Sequence, residues 1–254
     1  MQKKSFQPTV GQTYARLLKS HASLFSFEER MKLRRWYKQH FRHNFKPAQY
    51  PGDPVYFKLS VAEILLNEIG IGKTSVLAFL LYEMVATDKV LTIKEIDEEF
   101  GTSVGMLITG LSKVRELYAK SASLESENFR KLLLTFAEDL RVVLIIVAEQ
   151  LHVMRILHEY PEDARKSIAM ESSFLYAPLV HRMGLYAIKT ELEDLSLKFT
   201  NREIYSDIAH KLNETKQSRE KYIQAFIQPL QEKLALMGYE FSIKGRMKSI
   251  HSIY

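Results

Sequence analysis

The sequence predicts an all-α protein, a bundle of helices with no sheet through most of its length. Three observations carry this. Only 10 glycines and 7 prolines interrupt 254 residues. The long stretches between them repeat their apolar residues with a period near 3.6, which gathers those residues on one helical face. The run "VVLIIVA" (142–148) is apolar on nearly every side, as in a helix covered all round in the middle of a bundle.

Taken in order, the periodicity predicts helices near 11–22 and 26–42. The next, 59–69, carries Val61, Ile64, Leu65 and Ile69 at helical spacing and stops at Gly70. "GKT" (72–74) looks like the end of a phosphate-binding loop. In the pattern G-x-x-x-x-G-K the first glycine would be Asn67, and a buried strand should precede it where a helix is predicted. The segment therefore reads as a helix–helix turn, with Gly72 in the turn and Thr74 or Ser75 capping a helix over 74–87. "TIKE" (92–95) is a capping box: the Thr92 hydroxyl accepts an N–H while Glu95 reaches back, opening a helix over 92–99. Helices over 103–120 and 126–158 follow, the latter containing the all-round apolar run. Pro161 suits the first turn of a helix over 161–182, where a proline sacrifices no helical hydrogen bond. An amphipathic helix with interleaved acids is predicted over 185–197, and a more polar one over 202–236. "YEFSIKGR" (239–246) then alternates apolar and polar residues and turns at Gly245, a strand signal in a chain otherwise without one.

Composition excludes several classes. The absence of cysteine removes disulfides and thiolate metal sites and agrees with a reducing cytoplasm. No apolar run reaches 18 residues, so neither a membrane span nor a membrane partner is expected. "MQKKSFQPTVGQTY" has no apolar segment after its charges and reads as no signal peptide. The net charge is +6. "RMKLRRWYKQHFRHNFK" (30–46) is basic and aromatic, but no nucleic-acid module signature accompanies it. It reads as a helix with solvated basic residues, and DNA is not an expected partner.

Four stretches together resemble the RelA/SpoT proteins, the bacterial enzymes that make and degrade (p)ppGpp. They are "ESENFRKLLLTFAEDLRVVLI", "AEQLHVMRIL", "YAPLVHRMGLYAIKTELEDLSLKF" and "IKGRMKSIHSIY". The resemblance runs from about residue 50 to 254. It implies an HD-type helical hydrolase domain that uses a divalent metal, usually Mn²⁺. An α/β, nucleotidyltransferase-like domain should follow, transferring pyrophosphate from ATP to GDP or GTP with Mg²⁺. The implied division is a hydrolase-like domain over 1–197, linking helices over 198–237, and the start of the synthetase domain, with its first strand, over 238–254.

The hydrolase motifs depart from the family at the residues that carry chemistry. Against "HP-x-x-VA-x-IL", the first metal histidine falls on Phe57. Against "LLHDVVEDT", the histidine–aspartate pair becomes Tyr82 and Glu83. The acidic pair that orients the attacking water becomes Ala86 and Thr87, with Asp88 one position late and about 100° around a helix. A phenol with a pKa of about 10 is a poor Mn²⁺ ligand at neutral pH. Against "ADRLHNMRT", the last ligand aspartate falls on Glu149, the nucleotide-contacting asparagine on Val153 and the threonine on Ile156. The basic residue that would stack on guanine falls on Gln49. His152 is read as a packed, hydrogen-bonded core histidine, and His181 and Arg182 as helix-end cations.

With both imidazoles and the acid pair gone, no tightly bound metal or other cofactor is expected in this chain, although Glu83 and Glu149 survive. At the C-terminus, "GR-x-K-x-I-x-SI" resembles the ATP-side motif of the synthetase, implying phosphate contacts for Arg246 and Lys248 with Ser252 nearby. The expectation is thus the N-terminal part of a RelA-type synthetase with a regulatory pseudo-hydrolase domain, inactive by itself in both reactions. Its expected partners are guanine nucleotides and ATP for the whole protein, its own synthetase domain, and the ribosome through C-terminal regions. The alternatives are an active hydrolase with a rearranged metal site and a stand-alone nucleotide- or partner-binding module.

Overall fold

The computed structural model describes residues 24–40, 51, 54–86, 91–120, 139–238, 240–243 and 248–254. The chain divides into two compact units, Met1–Arg165 and Lys166–Tyr254.

In the first unit, α1 spans Phe27–His40 and α2 Pro54–Ile64, which continues as a wider π-helical turn, Leu65–Ile69. Gly70 ends it with φ 77°, a left-handed conformation that glycine adopts without a Cβ penalty, and its N–H caps the Leu65 carbonyl. Then come α3 (Lys73–Ala86), α4 (Ile93–Phe100), α5 (Thr102–Lys120) and α6 (Leu140–Arg155), the last followed by a 3₁₀ turn, Leu157–Glu159. No strand precedes "GKT", and the Lys73 ammonium is already paired with Glu29 of α1 at 2.8 Å. The helix–helix reading holds. Its cap does not: α3 begins at Lys73, so Thr74 and Ser75 lie within the first turn, where the Ser75 N–H reaches the Gly72 carbonyl.

The capping box forms as expected. Glu95 N–H donates to the Thr92 hydroxyl at 3.3 Å, and Thr92 N–H to the Glu95 carboxylate at 2.8 Å. The core is built from α3, buried from Ser75 to Tyr82, and α6, buried from Val142 to Ala148. The all-round apolar run therefore sits where its composition requires. Of the single helix expected over 126–158, residues 126–138 lie outside the described residues, and Asp139 is not helical: it is extended (φ −154°, ψ 110°) and its carboxylate accepts the Arg141 N–H, so α6 starts at Leu140.

The second unit begins within α7 (Glu162–Glu171), which opens directly after Pro161, as predicted. A π-turn, Ser172–Tyr176, leads into α8 (Ala177–Arg182), with His181 and Arg182 in its last turn, as expected. Then follow α9 (Tyr186–Thr200), α10 (Arg202–Glu214), α11 (Lys216–Leu236) and a terminal turn α12 (Ile250–Ile253). The helix expected over 202–236 is two, separated at Thr215.

The all-α class is correct. The expected strand is absent from residues 240–243, and the rest of "YEFSIKGR" apart from these lies outside the described residues. A lone strand has no ladder to satisfy its backbone, so alternation by itself does not create one. The helix expected near 11–22 also lies outside them, as do Gln49, Thr87, Asp88 and Arg246.

Candidate functional site

Four helices of the first unit meet around two ion pairs. Lys58, on α2, directs its ammonium to the Glu83 carboxylate of α3 at 2.9 Å. Its side chain is only 3% exposed, and the same ammonium lies 3.5 Å from the Leu80 carbonyl. Arg115, on α5, donates to the Glu149 carboxylate of α6 at 2.7 Å. Its guanidinium lies over the Tyr82 ring, 4.6 Å from the centroid. Each pair ties together two helices, and the charges of Arg115 and Glu149 are both felt at Lys58, so the four groups form one electrostatic cluster.

Burial dominates the electrostatics. It pulls the Lys58 ammonium below the ordinary lysine value, while the Glu83 carboxylate works in the opposite direction. Burial also raises the Tyr82 phenol, which stays protonated at neutral pH. Tyr160, after the 3₁₀ turn, is pushed up to about 12 by burial and then by the charge of Glu149.

The structure gathers most of the residues the sequence singled out. Phe57 is buried and meets the His152 ring edge-on, with centroids 4.8 Å apart. Tyr82 and Glu83 are successive residues of α3, and Ala86 ends that helix half-buried. Glu149, His152 and Val153 lie on α6, with Ile156 as its C-cap. Leu80 and Val153 are buried. His152 is packed as expected, but its Nε2 finds no hydrogen-bond partner among the described protein groups. Burial, followed by the nearby Arg155 charge, lowers its pKa to about 4, so it is neutral. Lys248 and Ser252 lie in the second unit.

Sequence reasoning missed Lys58 and Arg115, although a signal was present. Lys58, Val61, Ala62 and Leu65 follow the i, i+3, i+4, i+7 register of a buried face, and Arg115 continues the buried Ile108–Leu111 row. A cation in a core register needs a buried anion facing it.

The two carboxylates are engaged by internal cations, and the flanking positions hold Phe57 and a protonated Tyr82. Among the described residues no three His, Asp or Glu side chains converge.

Residues 48–186 match the HD-domain family, and the chain belongs to it. It is 37% identical over 209 residues to a GTP pyrophosphokinase of Myxococcus xanthus. It is 36% identical over 205 residues to a guanosine-3′,5′-bis(diphosphate) 3′-pyrophosphohydrolase of Aquifex aeolicus. A bifunctional (p)ppGpp synthase/hydrolase, SpoT, of Escherichia coli K12 is 31% identical over 204 residues. Each match covers 80% of this chain but only 27%, 29% and 29% of these relatives. Within the HD family the chain is a RelA/SpoT protein, as its motifs implied.

Proposed function

We propose that this chain is the N-terminal part of a RelA-type (p)ppGpp synthetase whose HD domain is a pseudo-hydrolase with a structural and regulatory role. One observation carries the reading. The two carboxylates left at the hydrolase position are neutralised from within, Glu83 by Lys58 and Glu149 by Arg115. A metal-activated hydroxide requires open coordination positions and anionic or imidazole donors. Here Phe57 and Tyr82 offer neither, and no acid stands at Ala86 to orient water. In this reading guanine nucleotides and ATP are substrates of the whole protein, through a synthetase domain that the HD domain regulates. Arg246, Lys248 and Ser252 belong to its ATP side, and the protein works in the cytoplasm.

Incubation of the pure protein with ppGpp and Mn²⁺ should release no pyrophosphate, and calorimetry should detect no stoichiometric Mn²⁺ site. Robust turnover abolished by Glu149→Ala would refute the proposal.

A further inference from the structure

The last turn of the chain is held by contacts that the pseudo-hydrolase does not use. α12 packs against α9 and α10 of its own unit. Ser249 is its N-cap: its hydroxyl accepts the Ser252 N–H at 3.2 Å, and the Ser252 hydroxyl donates to the Ser249 carbonyl at 3.0 Å. The neighbouring N–H, that of His251, reaches out of the turn. It donates to Oδ1 of Asp194, on α9, at 2.8 Å. Beside it, the Glu193 carboxylate lies 2.7 Å from the Lys189 ammonium and 3.6 Å from Nδ1 of His251. Lys248, immediately before the cap, is exposed.

A carboxylate accepting a backbone N–H is among the stronger contacts available to the first turn of a helix. The Ser252 hydroxyl, being turned back on its own cap, is placed to stiffen the turn. Lys248 faces solvent, as do Ser252, Ile253 and Tyr254, and it is the cation among them.

We infer that Asp194, with Glu193, is a positioning clamp on α9 that fixes the Lys248–Ser252 turn and so presents the Lys248 ammonium to a nucleoside triphosphate. The nucleotide part rests on the synthetase reading above; the clamp does not.

Hydrogen exchange read residue by residue on the 254-residue chain tests the clamp. Asp194→Ala should speed exchange of the His251 amide by about ten-fold or more, in line with local opening of a tethered turn. Asp194→Asn, which keeps an acceptor oxygen, should retain most of the protection. The α9 amides in the same samples report whether the unit stays folded. Unchanged His251 exchange in a folded Asp194→Ala protein overturns the clamp.

An ATP titration followed by amide shifts tests the presentation. The expected response at Lys248 and Ser249 is lost in Lys248→Ala and weakened several-fold in Asp194→Ala. No response to ATP in the wild type, with the exchange effect intact, overturns the nucleotide role and leaves the clamp standing.

Discussion

The two units bury their charge differently. In the first, Lys58 is 3% exposed and is answered by Glu83, while Arg115 and Glu149 pair on the neighbouring helices. Around them lie α3 and α6, each buried along most of its length. In the second, the buried apolar residues among those described end at Leu197. Beyond it α10 buries nothing, and its ion pair, Lys211 with Asp207, is a solvated i, i+4 contact. α11 exposes a stripe one turn apart, with Tyr222 at 72%, Phe226 at 62% and Leu230 at 42%. The same helical periodicity thus produces a closed core in one unit and an open face in the other. An ion pair's worth differs accordingly: within a core, removing one partner strands a charge, whereas at the surface water replaces it.

The largest expected effect breaks the buried side of that contrast. Lys58→Met should leave Glu83 without its cation and cost roughly 3–5 kcal/mol in chemical unfolding. Lys58→Met combined with Glu83→Leu should recover most of the loss, because a buried pair replaced by apolar groups is often neutral. A double variant as unstable as the single one would show that Lys58 contributes through packing instead.

His152 sharpens the comparison through pH. Its folded pKa is about 4, against 6.5 when unperturbed. Above about pH 6.5 both folded and unfolded states are neutral, and the contribution to stability is complete. As pH falls, the unfolded chain protonates first, so stability drops until about pH 4. The full swing is on the order of 3 kcal/mol. Urea titrations of the wild type and His152→Leu across this window should diverge in slope, and parallel curves would contradict the buried neutral imidazole.

Gly110 tests how closely α5 and α6 approach. A Cβ there would lie 2.8 Å from Cγ2 of Val142. Gly110→Ala should cost about 1–3 kcal/mol through overpacking, and Val142→Ala in the same chain should relieve part of it. Full tolerance of the single change, measured by thermal unfolding, would mean that the helices separate easily. On the open side, Lys211→Ala should leave the unfolding midpoint within replicate scatter, because its Asp207 partner remains solvated.

Parts of the site were legible before the fold was known. Aligning the hydrolase motifs located Phe57, Tyr82, Glu83 and Glu149, and the structure gathers these positions on α2, α3 and α6. Local signals were equally readable where the physics is local: the Thr92–Glu95 box, Gly70 as a stop and Pro161 as a start. Failures arose where a pattern lacked its partner or its context. "YEFSIKGR" alternates, yet among the described residues 240–243 have no neighbouring strand to pair with. The break at Asp139 was hidden because a helix-capping aspartate inside an apolar-periodic stretch does not disturb the period. Lys58 and Arg115 were overlooked because a lone cation is ordinarily assigned to solvent.

The sequence by itself determined the helical class and the central place of the 142–148 run. These follow from residue type and spacing. Only the tertiary structure decided that Lys58 meets Glu83, that Arg115 meets Glu149 across 34 residues of sequence, and that Asp194 holds His251 across 57. Periodicity states which face of a helix is buried. It does not state which other helix covers that face, and a buried charge is satisfied only by the group that packing brings within reach.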